Sequence, residues 1–248
     1  MSNAELRIFD NPEITCAAVA NSFAEIAGTC LAGCGRFTVA LSGGETPRRL
    51  YEIIAEAYRE SLPWGKIHVF WGDDRFVPHE DKSSNYRMAK EALLDHVPLP
   101  PSNVHPMPTF FQDPRDGAAE YEATLKETFH NSWPRFDLML QGMGADGHTA
   151  SLFPHSRALH EKSRWVLAVE ASMPPPFRLT LTPPVLNNAA RVWFLVTGEE
   201  KAEALSKVLG GEADPEEVPS AIVRPEDGEV IFWTDQAAAS SVCTSQPD

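Results

Sequence analysis

The stretch from Phe136 to Pro154 limits most sharply what this chain can fold into. It opens with a short apolar run, Phe136-Asp137-Leu138-Met139-Leu140, the length and character of a buried strand. The run stops at Gln141-Gly142-Met143-Gly144-Ala145-Asp146-Gly147-His148, where three glycines let backbone approach a ligand and two titratable groups share one loop. A strand of this kind is covered on both faces, and chemistry in such sheets collects beyond the carboxyl ends of the strands.

The same plan recurs along the chain. Residues 36–41 read as a buried strand ending in Ser42-Gly43-Gly44-Glu45-Thr46-Pro47, with a helix from Pro47 toward Tyr58. Residues 67–71 form the next strand, Gly72-Asp73-Asp74-Arg75 its loop, and residues 84–97 a helix capped by Ser83 or Ser84. Further strands are expected at 6–9, 165–170, 179–181, 192–196 and 230–233, and helices at 12–31, 116–130 and 199–209, with 98–114 irregular. This alternation predicts an α/β, Rossmann-like three-layer sandwich: a mostly parallel central sheet, helices on both faces, and right-handed crossovers. With 43% hydrophobic residues one core suffices, so a single domain over 1–240 and a polar tail over 241–248 are expected. The loops at Ser42, Asp73, Gly142 and Gly198 all follow strands and converge on one crevice in such a sheet.

A net charge of −14 argues against nucleic acid or an anionic membrane as partner, since both reward a basic face. No basic-then-apolar leader opens the sequence, and no unbroken apolar run nears the ~18 residues of a membrane span. A soluble, cytoplasmic protein is expected. Its four cysteines, Cys16, Cys30, Cys34 and Cys243, should then be reduced thiols, and monomer and homodimer both stay open.

An anionic ligand on so acidic a protein must be held by a few specific groups. Ser42-Gly43-Gly44-Glu45-Thr46-Pro47 reads either as a phosphate cradle at a helix N-terminus or as an ordinary glycine turn; it lacks the Gly-Lys-Ser/Thr ending of a P-loop. Arg178 and Lys201 supply cations near strand ends, as a phosphate dianion demands. Asp73 and Arg75 at another strand end suit a sugar or a proton-transfer group, or form a surface ion pair. Gly142 to Gly147 also spells GxGxxG, with Glu170 about twenty residues on. Pro154 interrupts the helix that a dinucleotide site needs, however. His148 fits better as a general base oriented by Asp146, and without a GxSxG nucleophile direct water attack is favoured. One histidine and scattered aspartates make no metal-ligand set, so neither metal nor organic cofactor is expected.

Four segments together, Val39 through Pro47, Trp71 through Pro78 with Ser84-Asn85-Tyr86, Gly142 through Pro154, and Arg178 through Thr182, resemble the 6-phosphogluconolactonase family, in the family's order and over about residues 5–235. The resemblance implies hydrolysis of 6-phospho-D-glucono-1,5-lactone to 6-phosphogluconate in the oxidative pentose phosphate pathway, with a small sugar-phosphate lactone as partner. It also implies that Ser42, Gly43, Gly44 and Thr46, with Arg48 adjoining, form the phosphate loop and that Arg178 and Lys201 complete it. Asp73, Arg75, Asp146 and His148 match the reactive end. Glu45 stands where the family usually has Ser, and Asp74 where Glu is commoner. The related hexosamine-6-phosphate deaminases share Asp-Gly-His but carry Glu before the closing Pro, where this chain has Phe153. A sugar-phosphate-binding protein without catalysis is the third reading, and it has no need of the Asp146 and His148 pair.

Overall fold

The structure, a computed structural model, describes residues 4–211 and 213–242. Cys243 and most of the expected polar tail lie outside the described residues. Nine strands and six α-helices follow in the order β1 (Ala4–Phe9), α1 (Pro12–Cys34), β2 (Phe37–Leu41), α2 (Glu45–Tyr58), β3 (Ile67–Trp71), β4 (Asp73–Arg75), α3 (Asn85–Ala92), α4 (Pro114–Thr128), β5 (Leu138–Gly142), β6 (Val166–Glu170), β7 (Phe177–Leu181), α5 (Pro183–Leu186), β8 (Arg191–Val196), α6 (Ala202–Leu209) and β9 (Glu229–Asp235). Six strands form one sheet in the order β1-β9-β8-β5-β2-β3, and every pairing in it is parallel. This is the α/β architecture the alternation predicts.

Burial explains why the central strands show no period-two pattern. Phe37 to Leu41 are all buried, as are Leu138 to Gln141 of the neighbouring β5, because helices and loops cover the sheet. Aromatic side chains pack on both faces of β8 and β9: Phe194 stacks on Phe232 with ring centroids 4.7 Å apart on one face, and Trp193 meets Trp233 at 5.2 Å on the other. Each fully buried phenylalanine contributes roughly 1.5–3 kcal/mol by leaving water.

Three expectations need correction. Residues 73–75 are not a loop but strand β4, which pairs antiparallel with β7, itself antiparallel to β6, in a small second sheet. Three polar residues carry no readable period, and only the partner strand reveals them as a strand. The helix expected over 84–97 ends at Ala92 and continues as a 3-10 turn from Leu94 to His96. Finally, α1 is long and apolar enough by length and composition to cross a membrane, which a search for unbroken apolar runs missed because Glu13, Asn21, Ser22 and Glu25 interrupt it. Its buried residues Thr15, Cys16, Val19, Ala20, Phe23 and Ala27 recur every three or four positions and face β1, β2, β9 and α2, as in a core helix. Asn11 caps its start by accepting from the Ile14 N–H at 3.0 Å, and Gly35 ends it in the left-handed region.

Candidate active site

From β2 the chain crosses to β3 on one side, while β5 and then β8 lie on the other. The carboxyl ends of β2 and β5 are therefore the switch point of the sheet, where a crevice opens. A cavity of about 260 Å³ occupies it, lined by the Ser42 to Gly44 loop, the Gly142 to Gly144 loop with His148, Asp73 and Arg75 from β4, Arg178 from β7, and Lys201. The strand ends predicted to converge do so. A larger cleft of about 590 Å³ lies behind Asp146 along α6, but its Glu203 and Lys207 are paired with each other, at 2.7 Å. The smaller cavity is the one that gathers His148, Asp73, Arg178 and Lys201.

No helix follows β5. Instead Gly147 N–H donates to the Gly144 carbonyl at 3.0 Å and Gly144 N–H to the His148 carbonyl at 2.8 Å, closing a tight turn that offers no helix N-terminus to a pyrophosphate. The turn sets Asp146 Oδ1 2.6 Å from His148 Nδ1 and 3.1 Å from the His148 backbone nitrogen. Burial opposes ionisation of Asp146, but the adjacent imidazole and the bonds from His148 outweigh it and hold the carboxyl below the usual range. An ionised carboxylate only accepts, so Nδ1 presents a proton to it, which in the neutral form of the ring leaves the lone pair on Nε2. Gly144 makes this possible: a Cβ there would lie 2.1 Å from His148 Nδ1 and 2.4 Å from Asp146 Oδ1. Phe153 packs against the imidazole, with ring centroids 5.1 Å apart, and lines the cavity.

On the other side of the cavity, Tyr51 of α2 accepts from Ser42 N–H at 3.0 Å and donates to the Ser42 carbonyl at 2.8 Å. This clamp fixes the loop, and Ser42 Oγ is left buried with no hydrogen-bond partner among the described residues. Arg178 is 6% exposed, and its Nη1 is likewise buried without a partner among the described residues. Burial, with the charge of Arg75 beside it, holds its pKa below the ordinary arginine value. Arg75 and Arg178 are opposite one another in the β4–β7 register, a like-charge pair that the nearby carboxylates of Asp73 and Asp74 offset in part. Lys201 lines the same cavity, its nearest carboxylate, Glu200, 3.8 Å away.

Two expected phosphate-loop residues are elsewhere. Thr46 Oγ1 is hydrogen-bonded to Thr197 Oγ1 at 2.7 Å and so ties the first turn of α2 to the end of β8. Arg48 does not adjoin the cavity: its guanidinium faces Glu45 at 3.9 Å and Glu91 at 3.8 Å, which draw it along the exposed side of α2 and α3. The Glu45 side chain is 94% exposed and points away, so its carboxylate does not oppose a bound anion.

Asp73 accepts from Ser151 Oγ at 2.7 Å, and its main-chain carbonyl accepts from Asn85 Nδ2 at 3.0 Å. Asp74 is fully buried and serves α3 instead, accepting from the N–H groups of Asn85 at 2.6 Å and Tyr86 at 3.0 Å. Burial pushes its pKa up to about 6, against the pull of those bonds. Asn85 and Ser151 line the cavity although sequence reasoning assigned them no role. Their signal was position: each lies inside a segment already singled out. Met173, 61% exposed on the β6–β7 connection, also lines the cavity and carried no sequence signal. Among the described residues no three His, Cys, Asp or Glu side chains are placed to hold a metal ion.

Comparison with known proteins bears on the family and the fold. A family model described as glucosamine-6-phosphate isomerases/6-phosphogluconolactonase matches residues 10–233. A 6-phosphogluconolactonase of Synechocystis sp. is 46% identical over 211 residues, 84% of this chain and 85% of that one. The structure of 6-phosphogluconolactonase from Trypanosoma cruzi superposes with a TM-score of 0.88 at 29% identity and covers 97% of each chain. A monomeric glucosamine-6-phosphate deaminase superposes with a TM-score of 0.82 at 20% identity, covering 96% of this chain and 99% of that one, which shows a shared fold alone. The chain belongs to the glucosamine-6-phosphate isomerase/6-phosphogluconolactonase family.

Proposed function

We propose that this protein hydrolyses 6-phospho-D-glucono-1,5-lactone to 6-phosphogluconate by water attack assisted by His148. One observation carries the reading: a single cavity holds an imidazole backed by a carboxylate at 2.6 Å and a buried arginine with an unbonded nitrogen. The first suits ester hydrolysis and the second a phosphate.

In this mechanism the phosphate is held by Arg178, Lys201, Ser42 Oγ and the backbone of Gly43 and Gly44. Thr46 supports that loop from behind. His148 Nε2 takes a proton from water as the water oxygen bonds to the lactone carbonyl carbon. Asp146 keeps the proton on Nδ1 and balances the imidazolium that forms. Arg75 stabilises the developing oxyanion. When the tetrahedral intermediate collapses, the bond from carbon to ring oxygen breaks and His148 returns its proton to that oxygen, leaving a carboxylic acid that ionises and a free hydroxyl. Asp73, held by Ser151, orients sugar hydroxyls. The place of Phe153 beside the imidazole favours this reading over amine chemistry, which needs an acid there. The reading extends to a soluble enzyme of the cytoplasm, where the free Cys16, Cys30 and Cys34 fit a reducing compartment.

The test generates the lactone in situ from the aldose 6-phosphate with a dehydrogenase and follows its loss. Wild type is expected to outpace spontaneous hydrolysis, and His148→Ala to lose about 10²–10⁴-fold in kcat. Wild type no faster than the spontaneous reaction overturns the function; an undiminished variant overturns the role of His148.

A further inference from the structure

Asn85 opens α3, and its backbone N–H is fixed by the buried Asp74 carboxylate at 2.6 Å. Its side-chain Nδ2 donates to the Asp73 main-chain oxygen at 3.0 Å and reaches Asp73 Oδ1 at 3.4 Å. Both of those groups only accept, so the amide cannot be reversed: its NH₂ end faces Asp73 and its oxygen faces the other way. That oxygen lies over Gly43, where a Cβ would stand 1.9 Å from it. Among the described residues no N–H or O–H donates to Asn85 Oδ1. The residue is only 3% exposed yet lines the active-site cavity, so the cavity is the route by which a donor reaches this oxygen.

A phosphate dianion offers acceptors alone, and so does a lactone carbonyl; an amide oxygen repels both. A hydroxyl is the ligand group that satisfies it. Asp73, already anchored by Ser151 Oγ at 2.7 Å, presents a second acceptor beside it. Two neighbouring acceptors between a phosphate site and a general base match adjacent hydroxyls of a polyol chain.

We propose that Asn85 is a specificity-determining residue whose side-chain oxygen accepts a hydrogen bond from a ring hydroxyl of the bound sugar-phosphate lactone. This rests on the lactonase reading above, and it explains why Gly43 has no side chain: the space belongs to the Asn85 amide.

The test measures kcat/KM for the parent lactone and for its 2-, 3- and 4-deoxy analogues, each formed in situ, with wild type, Asn85→Leu and Asn85→Ala. Wild type is expected to prefer the parent over one deoxy lactone by at least about tenfold, because a site built to bond a hydroxyl rejects the analogue lacking it. In Asn85→Leu that preference should shrink to within about twofold, the parent losing and the deoxy lactone not. Asn85→Ala also removes the acceptor and adds no bulk, so it should lose the same preference and serves if the leucine variant fails to fold. Equal use of all four lactones by wild type, or a preference unchanged in the variants, overturns the assignment. Failure of wild type on the parent lactone overturns the lactonase reading itself, which separates the two.

Discussion

Ser220 gives both its backbone N–H and its hydroxyl to the carbonyl oxygen of Gly147, at 2.8 and 2.6 Å. Gly147 immediately precedes His148, and Val218 packs against it from the same segment. A residue 73 positions away thus holds the turn that aims the imidazole. Ser220→Ala keeps the N–H bond and loses the other. We expect kcat to fall about tenfold with KM nearly unchanged, since small misplacement of a catalytic group is expensive in rate. Loss of one buried hydrogen bond should lower Tm by only about 2–4 °C. Steady-state kinetics, with kcat referred to the folded fraction found by calorimetry, check it; a kcat that falls only in proportion to unfolded protein goes against it.

Gly144 tests the imidazole–carboxylate pair from the backbone side. Its added methyl in Gly144→Ala would overlap both His148 Nδ1 and Asp146 Oδ1, so the pair must separate. The variant should fold and bind substrate while losing at least ~10²-fold in kcat, the lower end of what a general base contributes. Binding of 6-phosphogluconate by calorimetry, unchanged beside collapsed turnover, is the expected signature.

Arg178 shows where stability and binding oppose each other. Its guanidinium is buried, an atom of it is unpartnered, and Arg75 faces it across the strands. Replacing it with an apolar side chain of similar length removes that strain, so Arg178→Met should leave the unliganded protein as stable or about 1–2 kcal/mol more stable. KM should rise by at least about tenfold. Millimolar inorganic phosphate should raise the Tm of wild type and leave the variant unmoved. A large destabilisation of the unliganded variant would show that Arg178 serves the fold.

The sequence disclosed the parallel sheet because fully buried strands such as residues 37–41 announce themselves as apolar runs, and it disclosed the crevice because glycines end them. It did not disclose the small sheet, since Asp73 to Arg75 become a strand only by pairing with residues 178–180. Among the candidate site residues, His148, Asp73, Arg75, Ser42, Arg178 and Lys201 meet in one cavity, with Asp146 directly behind the imidazole. Arg48 and Thr46 do not line that cavity, for one reason. A residue next to a glycine loop in sequence is rotated about 100° per step once a helix begins, and here the rotation carries both side chains out of the site. Asn85 lies in a segment that the sequence singles out without a role for it, and Ser220 carried no sequence signal, because its hydroxyl bonds a carbonyl 73 residues away.

Acid should weaken this fold through a histidine pair remote from the cavity. His105 Nε2 lies 3.4 Å from His68 Nδ1, and the His105 ring stacks on Phe70 with centroids 4.4 Å apart. Burial, and then the nearby His68, push the pKa of His105 down to about 4, while burial and the Arg36 charge lower that of His68. Both are therefore held neutral in the fold at a pH where the unfolded chain, with a histidine pKa near ~6.5, takes up protons. The unfolded state binds more protons between those values, so stability is full above about pH 6.5 and is lost as pH falls toward about 4, where the folded His105 itself titrates. Since the ring is partly exposed, solvent screening limits the loss to about 1–2 kcal/mol. Urea unfolding of wild type and His105→Gln at about pH 7 and about pH 4.5 checks this. The variant should lose less stability than wild type over that interval; equal losses would place the acid sensitivity elsewhere.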